Sequence, residues 1–266
     1  MSIVFGIIMP YAAAGIFLIG VVVRVLEWMS ASVPFRIPTT TGQQKSLPWI
    51  KPGRLESPYT ALGVVGRMAL EILLFRSLFR NSRATLRSGT KIAYSEEKVL
   101  WLGALAFHWS FLIIILRHLR YVLEPVPRFV LWLQTLDGFF QVGAPVFYVT
   151  DAVIMAALIF LLLRRLCNRQ VRYLSLLTDY VALGLLLGLV STGIWMRYVA
   201  TKDIVAIKEF AMGLAIFSPR IPENVGVLFY VHLSFVSALL AYFPFSKLMH
   251  MAGAFLSPAR IPASLS

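Results

Sequence analysis

The sequence predicts an all-α membrane protein: five transmembrane helices in a bundle plus short interfacial amphipathic helices, with the N-terminus outside and the C-terminus cytoplasmic. Three observations predict it. Hydrophobic residues make up 59% of the 266 residues and charged residues only 14%, a balance that a water-soluble domain could not bury. Five apolar runs have the length of a membrane-spanning helix, about 20 residues. Basic residues concentrate in alternate connections between these runs.

The predicted spans are Ile3–Val25, Val99–Leu123, Pro145–Leu166, Leu176–Tyr198 and Val225–His250. We expect the first to be retained and not cleaved as a signal peptide, since no basic residue precedes it and no clear cleavage motif follows. Pro125 and Pro127 end the second run, and Pro244 is expected to bend the last turns of the fifth. The shorter apolar segments Phe129–Gln141 and Ile204–Phe217 are predicted to lie at the membrane surface.

The stretch Met29–Glu97 is predicted not to cross the membrane. It begins with a loop rich in Pro, Thr, Gly and Gln, and continues into the segment Tyr59–Leu86. The charged residues that interrupt this segment are Arg67, Glu71, Arg76, Arg80, Arg83 and Arg87. Their spacing by threes and fours predicts one polar stripe on a cytoplasmic amphipathic helix, and a solvated face without a specific partner explains it equally well.

Orientation follows from the distribution of basic residues. The stretch Met29–Glu97 holds ten Lys and Arg residues, and Arg164, Arg165, Arg169 and Arg172 lie at the end of the third span and after it. Counted together with the last turn of the span before it, the second connection has two basic and two acidic residues, and the fourth has four basic and three acidic residues. The first and third connections are therefore predicted to be cytoplasmic, in a multi-pass protein of the cytoplasmic (inner) membrane. The net charge of +13 then faces anionic lipid and a cytoplasmic partner, and it needs no nucleic acid.

All four histidines lie in two of the predicted spans. His108 and His118 are ten residues apart on the second span, and His232 and His250 are eighteen apart on the fifth. Because these helices run in opposite directions, antiparallel matching pairs His118 with His232 near the outer face and His108 with His250 near the inner face. A lone histidine on a helix is often only a hydrogen-bonded core residue, but four of four in spans favour a functional role.

We interpret the four imidazoles as ligands of two b-type haems. Bis-imidazole ligation leaves no open axial position, which suits electron transfer. A zinc cluster is disfavoured because the spacings separate the histidines into layers. We expect no carboxylate in the spans beside them, which disfavours a proton relay. Cys167 is the only cysteine, so the chain cannot hold a cysteine-ligated iron–sulfur cluster of its own.

This histidine pattern on five helices resembles the cytochrome b gamma subunit of respiratory nitrate reductase, the NarI-like family. The loop IPTTTGQQKSLPW and the Arg-rich segment after it resemble DsrM-type subunits, the menaquinol-interacting cytochromes b of the membrane complex linked to dissimilatory sulfite reduction. The resemblance implies that residues 1–266 form a single dihaem cytochrome b membrane domain. It places His118 and His232 on the outer haem iron and His108 and His250 on the inner one.

The resemblance also implies a quinone site near the outer haem. The nitrate reductase family uses a lysine near this site, but the present sequence has none between Leu119 and Tyr148. The polar candidates for a quinone contact are Arg120, Arg128, Asp137 and Tyr121. Arg117, Arg120 and Tyr121 are candidates for pairing with haem propionates, and they could equally anchor the helix end.

The expected function is that of an electron-transfer subunit and not of a stand-alone catalyst. Menaquinol would bind beneath Phe129–Gln141 and pass electrons through both haems to a cytoplasmic iron–sulfur partner, DsrK-like or NarH-like. The same haems would also serve the reverse direction, the reduction of menaquinone. That partner would dock on Thr39–Arg54, the Arg-rich segment and the C-terminal tail. In a sulfur-metabolism, DsrMKJOP-like complex, an extracytoplasmic multihaem cytochrome c and further membrane subunits would join it.

Other functions stay open at this point. A nitrate reductase gamma subunit, or a subunit of another related quinone-linked complex, would use the same haem arrangement. Two rivals come from other classes: a transporter and a structural membrane anchor without haem. Against a transporter, the sequence shows no inverted repeat and no paired broken helices around a polar site.

Overall fold

Helices form most of the chain that the structure describes, as the long apolar runs predict. The computed structural model describes residues 2–30, 49, 55, 58, 60–87, 91–96, 98–139, 145–200, 203–222 and 225–256, with the backbone alone for 82–87, 91–96 and 254–256. Most of the predicted docking loop Thr39–Arg54, the C-terminal tail and the end of the segment Phe129–Gln141 lie outside the described residues.

The elements follow one another along the chain as helices with one hairpin between them. A π-helical turn, Val4–Ile8, leads into α1 (Met9–Ser30), and then come α2 (Ala61–Leu74), α3 (Arg76–Phe79), β1 (Ser82–Arg87) and β2 (Lys91–Glu96). The following helices are α4 (Lys98–His118), α5 (Arg128–Asp137), α6 (Val149–Cys167), α7 (Arg169–Leu174), α8 (Leu177–Tyr198), α9 (Ile204–Ala215), α10 (Gly226–Tyr242) and α11 (His250–Leu256). The chain divides into a first unit, Met1–Gly20 with Ala106–Ser246, and a second unit, Val21–Leu105 with Lys247–Ser266.

Four helical segments of the described chain are long and apolar enough to cross a membrane. They are Val4–Ser30, Lys98–Tyr121, Leu177–Tyr198 and Gly226–Phe245. α6 has 19 residues, but it carries Asp151 in its first turn and Arg164 and Arg165 in its last. Four of the five predicted spans are thus supported by length and composition, whereas the third span, Pro145–Leu166, and the orientation stay predictions. Exposed apolar side chains such as Leu18 and Ile19 are typical of helices whose solvent is lipid.

The predicted amphipathic helix over Tyr59–Leu86 is wrong as a single element. α2 stops at Phe75, whose φ of 49° turns the chain into the left-handed region before the single turn of α3. An antiparallel hairpin of β1 and β2 follows, so Arg83 and Arg87 lie on a strand and not on a helical stripe. The physical reason is the reversal at Phe75, because a helix cannot propagate through a residue with positive φ.

The first part of the predicted polar stripe is buried. Arg67 and Glu71, one turn apart on α2, form an ion pair at 3.0 Å and are less than 10% exposed. Glu71 also accepts hydrogen bonds from Ser77 N at 3.0 Å and Ser77 Oγ at 2.6 Å, and Arg67 donates to Leu55 O at 2.7 Å. These two charges therefore hold the turn between α2 and α3 together within the second unit.

The fifth predicted span is broken and not merely bent. α10 ends at Tyr242, a 3₁₀ turn contains Pro244, and α11 begins at His250. Proline lacks an N–H donor and its ring clashes with the preceding turn, so the helix ends near it. His232 therefore lies on α10 and His250 on α11, so the two histidines do not share one face of a single helix. Pro244 is buried against α1, where a Cβ at Gly20 would lie 2.6 Å from the proline Cβ.

α8 is the element around which the first unit packs. It contacts both α6 and α10 along its length. At Gly188 the neighbouring helix approaches so closely that a Cβ would lie 2.4 Å from the ring of Phe235 on α10. α9, predicted to lie at the surface, also contributes to the core, because its Phe210 is buried with Val225 and Phe229. The start of α10, which carries His232, is thereby held against the last turns of α8.

Candidate functional site

His118 and His232 lie near each other in the first unit. His118 is the last residue of α4, and His232 lies in the second turn of α10. The two rings are close enough to interact electrostatically, and the His118 ring keeps exposed surface. Imidazoles from two different helices therefore share one neighbourhood.

Hydrogen bonds determine which nitrogen of each ring is available. His118 Nδ1 lies 2.7 Å from Ile114 O, and because a carbonyl oxygen only accepts, Nδ1 carries the proton. His232 Nδ1 lies 2.9 Å from Thr192 Oγ1, whose own proton is donated to Gly188 O at 2.7 Å. Nδ1 is therefore the donor in both rings. Nε2 of each ring keeps its lone pair, the form in which histidine binds a metal.

The α8 residue after Thr192 makes space for the His232 ring. A Cβ at Gly193 would lie 3.2 Å from His232 Cε1, closer than an ordinary van der Waals contact. One turn of α8 thus both orients the ring, through Thr192, and accommodates it, through Gly193.

The other two histidines belong to different units. His250 opens α11, and its Nδ1 donates to Lys247 O at 2.8 Å, so its Nε2 also keeps the lone pair. His108 lies in α4, where its ring is edge-on to Phe107 with centroids 5.1 Å apart. His108 is part of the first unit and His250 of the second, so the pairing of these two histidines stays a prediction.

Arg117, the residue before His118, makes two buried ion pairs. Its Nη1 lies 3.1 Å from Asp137 Oδ2 at the end of α5, and its Nη2 donates to Asp151 Oδ1 at 2.8 Å in the first turn of α6. The three side chains are no more than 11% exposed. The expectation of no carboxylate beside the histidines is therefore wrong, because Asp151 lies in a predicted span and pairs with the neighbour of His118.

Two further side chains complete this arrangement. Asp137 accepts hydrogen bonds from Thr150 N at 2.8 Å and Thr150 Oγ1 at 2.6 Å. Asp151 Oδ2 accepts from the hydroxyl of Tyr198, the last residue of α8, at 2.9 Å. We call these five residues (Arg117, Asp137, Thr150, Asp151 and Tyr198) the Arg117 cluster. It joins the ends of α4, α5, α6 and α8.

Tyr148 connects the Arg117 cluster to a second arginine. Its ring lies 3.8 Å from Arg117 Cζ and 3.9 Å from Arg197 Cζ, distances typical of cation–π contacts. Its backbone N–H donates to the Tyr198 hydroxyl at 3.0 Å, and Arg197 Nη2 donates to Val146 O at 3.0 Å. The segment before α6 is therefore held between two guanidinium groups.

Spare hydrogen-bond donors remain around the Arg117 cluster. Among the described residues, the buried nitrogens Arg117 Nε, Arg197 Nε and Gln134 Nε2 have no hydrogen-bond partner. An unpaired buried donor costs about 1–3 kcal/mol, so a group that brings acceptor oxygens would bind favourably. Haem propionates and quinone carbonyls are groups of this kind. Sequence reasoning missed Gln134 and Arg197, because only packing shows that their nitrogens are buried without acceptors.

The remaining candidates differ in position. The Tyr121 ring lies 5.7 Å from the His118 ring, and Arg120 Cζ lies 5.5 Å from the Tyr121 ring. Arg128 is exposed at the first residue of α5. Within the described ranges, no group of three or more His, Cys, Asp or Glu residues is arranged to hold a metal ion.

Comparison with known proteins gives consistent matches over nearly the whole chain. Residues 58–259 match the model of the nitrate reductase gamma subunit. A protein of Archaeoglobus fulgidus, named Hdr-like menaquinol oxidoreductase cytochrome b-like subunit, is 44% identical over 97% of this chain and 79% of its own length. A protein of the same name from Archaeoglobus profundus is 38% identical over 95% of this chain and 76% of its own length.

Proposed function

Because the chain belongs to the nitrate reductase gamma subunit family, we propose that it is the dihaem cytochrome b subunit of a quinol-linked redox complex. Both relatives are named for an Hdr-like menaquinol oxidoreductase. Those names favour menaquinol as the electron donor, and they favour an Hdr-like complex over a nitrate reductase. The subunit transfers electrons within the complex and is not a catalyst on its own.

The hydrogen bonding of the histidines is the observation that carries this proposal. His118 and His232 come from two helices, and each keeps the Nε2 lone pair, which is the donor set for bis-imidazole haem. Gly193 allows the His232 ring to lie against α8, since a Cβ there would be 3.2 Å from His232 Cε1, and the spare donors near Arg117 suit propionate oxygens. These residues fit a haem b, which supplies reversible one-electron transfer when bound.

The proposal assigns each histidine to one of two haems. His118 and His232 would hold the outer iron, and His108 and His250 the inner one. Ile114 O, Thr192 and Lys247 O keep the proton on Nδ1 of His118, His232 and His250, which leaves the Nε2 lone pair of each ring for a metal.

Menaquinol is proposed to bind beneath α5, beside the outer histidine pair. Gln134 offers a buried amide donor on this helix, and Asp137, its last residue, is ion-paired with Arg117. Arg120 and Tyr121 lie next to His118 and remain candidates for the quinol hydroxyls, whereas the exposed Arg128 is the weakest candidate. Oxidation of menaquinol to menaquinone releases two electrons towards the cytoplasmic partner and two protons to the outer aqueous phase.

The proposed acceptor is a cytoplasmic iron–sulfur subunit, DsrK-like or NarH-like. The chain has one cysteine, so the clusters must come from that partner. The basic first and third connections provide the docking face at the cytoplasmic membrane. A DsrMKJOP-like sulfur-metabolism complex would add an extracytoplasmic multihaem cytochrome c and further membrane subunits.

Reduced-minus-oxidised absorption spectra of the purified protein test the proposal. We expect a b-type α band and two haems per chain. His118→Ala and His232→Ala should each remove the same haem and leave the other, and His108→Ala, as the matched control, should remove the other one. A protein without haem would contradict the proposal and favour a transporter or a structural anchor.

A further inference from the structure

The Arg117 cluster contains a buried carboxylate, Asp151, which haem ligation alone does not require. The charge of Asp151, like those of Arg117 and Arg120, reaches the His118 ring electrostatically. A charge inside a membrane protein is costly and is retained where it has a role. The described contacts of Asp151 join α4 and α8, the two helices that hold or orient the outer histidine pair.

We propose that Asp151 is a positioning residue that sets the reduction potential of the outer haem and the orientation of its His118 ligand. The proposal rests on the dihaem function above. Asp151 acts through two contacts: the 2.8 Å bond from Arg117, which precedes His118, and the 2.9 Å bond from Tyr198.

The charges around the cluster give the sign of the effect. Arg117 and Arg197 are balanced by Asp137 and Asp151, so that loss of one carboxylate leaves a net positive charge. Oxidised haem carries one more positive charge than reduced haem, and a nearby carboxylate therefore favours the oxidised form. Removing the charge of Asp151 raises the outer reduction potential.

Coulomb's law gives the expected size. Two unit charges about 10 Å apart, at an effective dielectric constant of about 20, change an equilibrium ratio on the order of tenfold. For a one-electron couple, a tenfold change corresponds to about 59 mV. We therefore expect a shift of this order in the outer haem.

The position of Asp151 also links the orientation of the two ligand rings. Arg117 is anchored in the last turn of α4, where His118 donates to Ile114 O. Tyr198 lies in the last turn of α8, which reaches His232 through Thr192. Release of either contact allows the two helix ends to shift, which changes the relative angle of the imidazole planes. That angle is visible in the low-spin haem signal of electron paramagnetic resonance spectra.

The test is a potentiometric titration of the haem-loaded protein. The outer haem is identified as the component that His118→Ala removes. Asp151→Asn should raise the midpoint potential of the outer haem, so that its reduced-to-oxidised ratio at a fixed potential increases on the order of tenfold. The midpoint potential of the inner haem should not change, and Asp151→Glu should restore that of the outer haem. Asp179→Asn is the matched control, because Asp179 is equally buried at the opposite end of α8 and should leave the outer haem unaffected.

Tyr198→Phe provides a second variant that keeps both ion pairs. It removes a donor that partly neutralises Asp151, so the outer midpoint should move by a smaller amount in the opposite direction. If Asp151→Asn does not retain the outer haem, the result with Tyr198→Phe decides. This inference is overturned if neither Asp151→Asn nor Tyr198→Phe changes the midpoint potential of the outer haem. It is also overturned if Asp179→Asn changes that potential as much as Asp151→Asn does. The dihaem function stands in both cases. Absence of haem from the unmodified protein overturns the proposed function itself.

Discussion

The two ends of α8 both carry contacts between an arginine and an aspartate, but they are built differently. At the start of the helix, Asp179 lies 3.4 Å from Arg165, whose side chain is 31% exposed and also donates to Ser175 Oγ. Asp179 itself is only 5% exposed and also accepts from Leu176 N at 3.0 Å. At the other end, Tyr198 donates to Asp151, which is ion-paired with Arg117, and these two charged side chains are no more than 11% exposed. Solvent therefore reaches the arginine of the first pair but neither partner of the second.

The difference also concerns the chain segments that are joined. Arg165 and Asp179 sit on consecutive long helices separated by a short connection, so local chain geometry brings them together. Asp151 is 34 residues from Arg117 and 47 from Tyr198, so only the packing of three helices creates that contact. Partly solvated pairs contribute little, whereas a buried pair is expensive to break because the remaining charge is left without compensation. The long-range contact therefore determines the geometry beside the histidine pair.

Removing one arginine at each end should give the largest contrast. Arg117→Ala leaves two buried carboxylates without a cation and should cost about 3–5 kcal/mol of unfolding free energy. Arg165→Ala should cost less, about 1 kcal/mol, because the arginine is partly solvated and Asp179 keeps the hydrogen bond from Leu176 N. Thermal and denaturant unfolding of the purified protein in detergent measure both. Equal losses would show that the two ends do not differ as proposed.

Removing one phenol hydroxyl at each end sharpens the comparison. Tyr198→Phe deprives Asp151 of a donor and the Tyr148 N–H of an acceptor, so we expect a loss of about 1.5–3 kcal/mol. Tyr242→Phe removes only an exposed bond to Thr178 O, near the start of α8, and should cost about 0.5 kcal/mol. The same unfolding assay reports both values. A larger loss for Tyr242→Phe would reverse our assignment.

Two glycines of α8 test the space beside the histidine. A methyl group at Gly193 would press on His232 Cε1 at 3.2 Å, whereas no atom lies within 4 Å of a Cβ at Gly184. Gly184→Ala should stabilise the helix by up to about 1 kcal/mol. Gly193→Ala should not stabilise it, because the added methyl group crowds the His232 ring. Haem absorbance should change only in Gly193→Ala. An unchanged spectrum in that variant would mean that the ring has room to move.

Salt should produce the smallest effect. Raising the ionic strength from 0.1 to 1 M shortens the Debye length from about 10 Å to about 3 Å, which weakens partly exposed pairs but hardly affects buried ones. Double-mutant cycles should show a falling coupling between Arg165 and Asp179 and a constant coupling between Arg117 and Asp151. A salt-dependent coupling in the second pair would place it in contact with solvent.

Much of the fold was predictable, because spanning a membrane depends on the local property of length and apolarity. The predicted helix Leu176–Tyr198 differs from α8 by one residue, and the family suggested by the histidine spacing is confirmed. The failures occurred where one residue redirects the backbone. Phe75 ends α2 before the hairpin, and Pro244 separates His232 from His250.

The candidate site was predictable only in part. The sequence drew attention to His118 and His232, because histidines are rare in apolar segments. It also named Arg117 and Asp137, but without their mutual contact. Asp151 was not identified, and no carboxylate was expected beside the histidines, since nothing in its neighbourhood along the chain shows a partner.

The sequence by itself determined that this is a helical membrane protein, and it determined which residues offer imidazole nitrogens. Both depend on composition and on intervals along a single helix. Only the tertiary structure decided which nitrogen of the His118, His232 and His250 rings carries the proton, and that Arg117, Asp151 and Tyr198 form one buried unit. Such pairings depend on how helices distant in sequence pack, because a desolvated charge is tolerated only where packing brings an opposite charge to it.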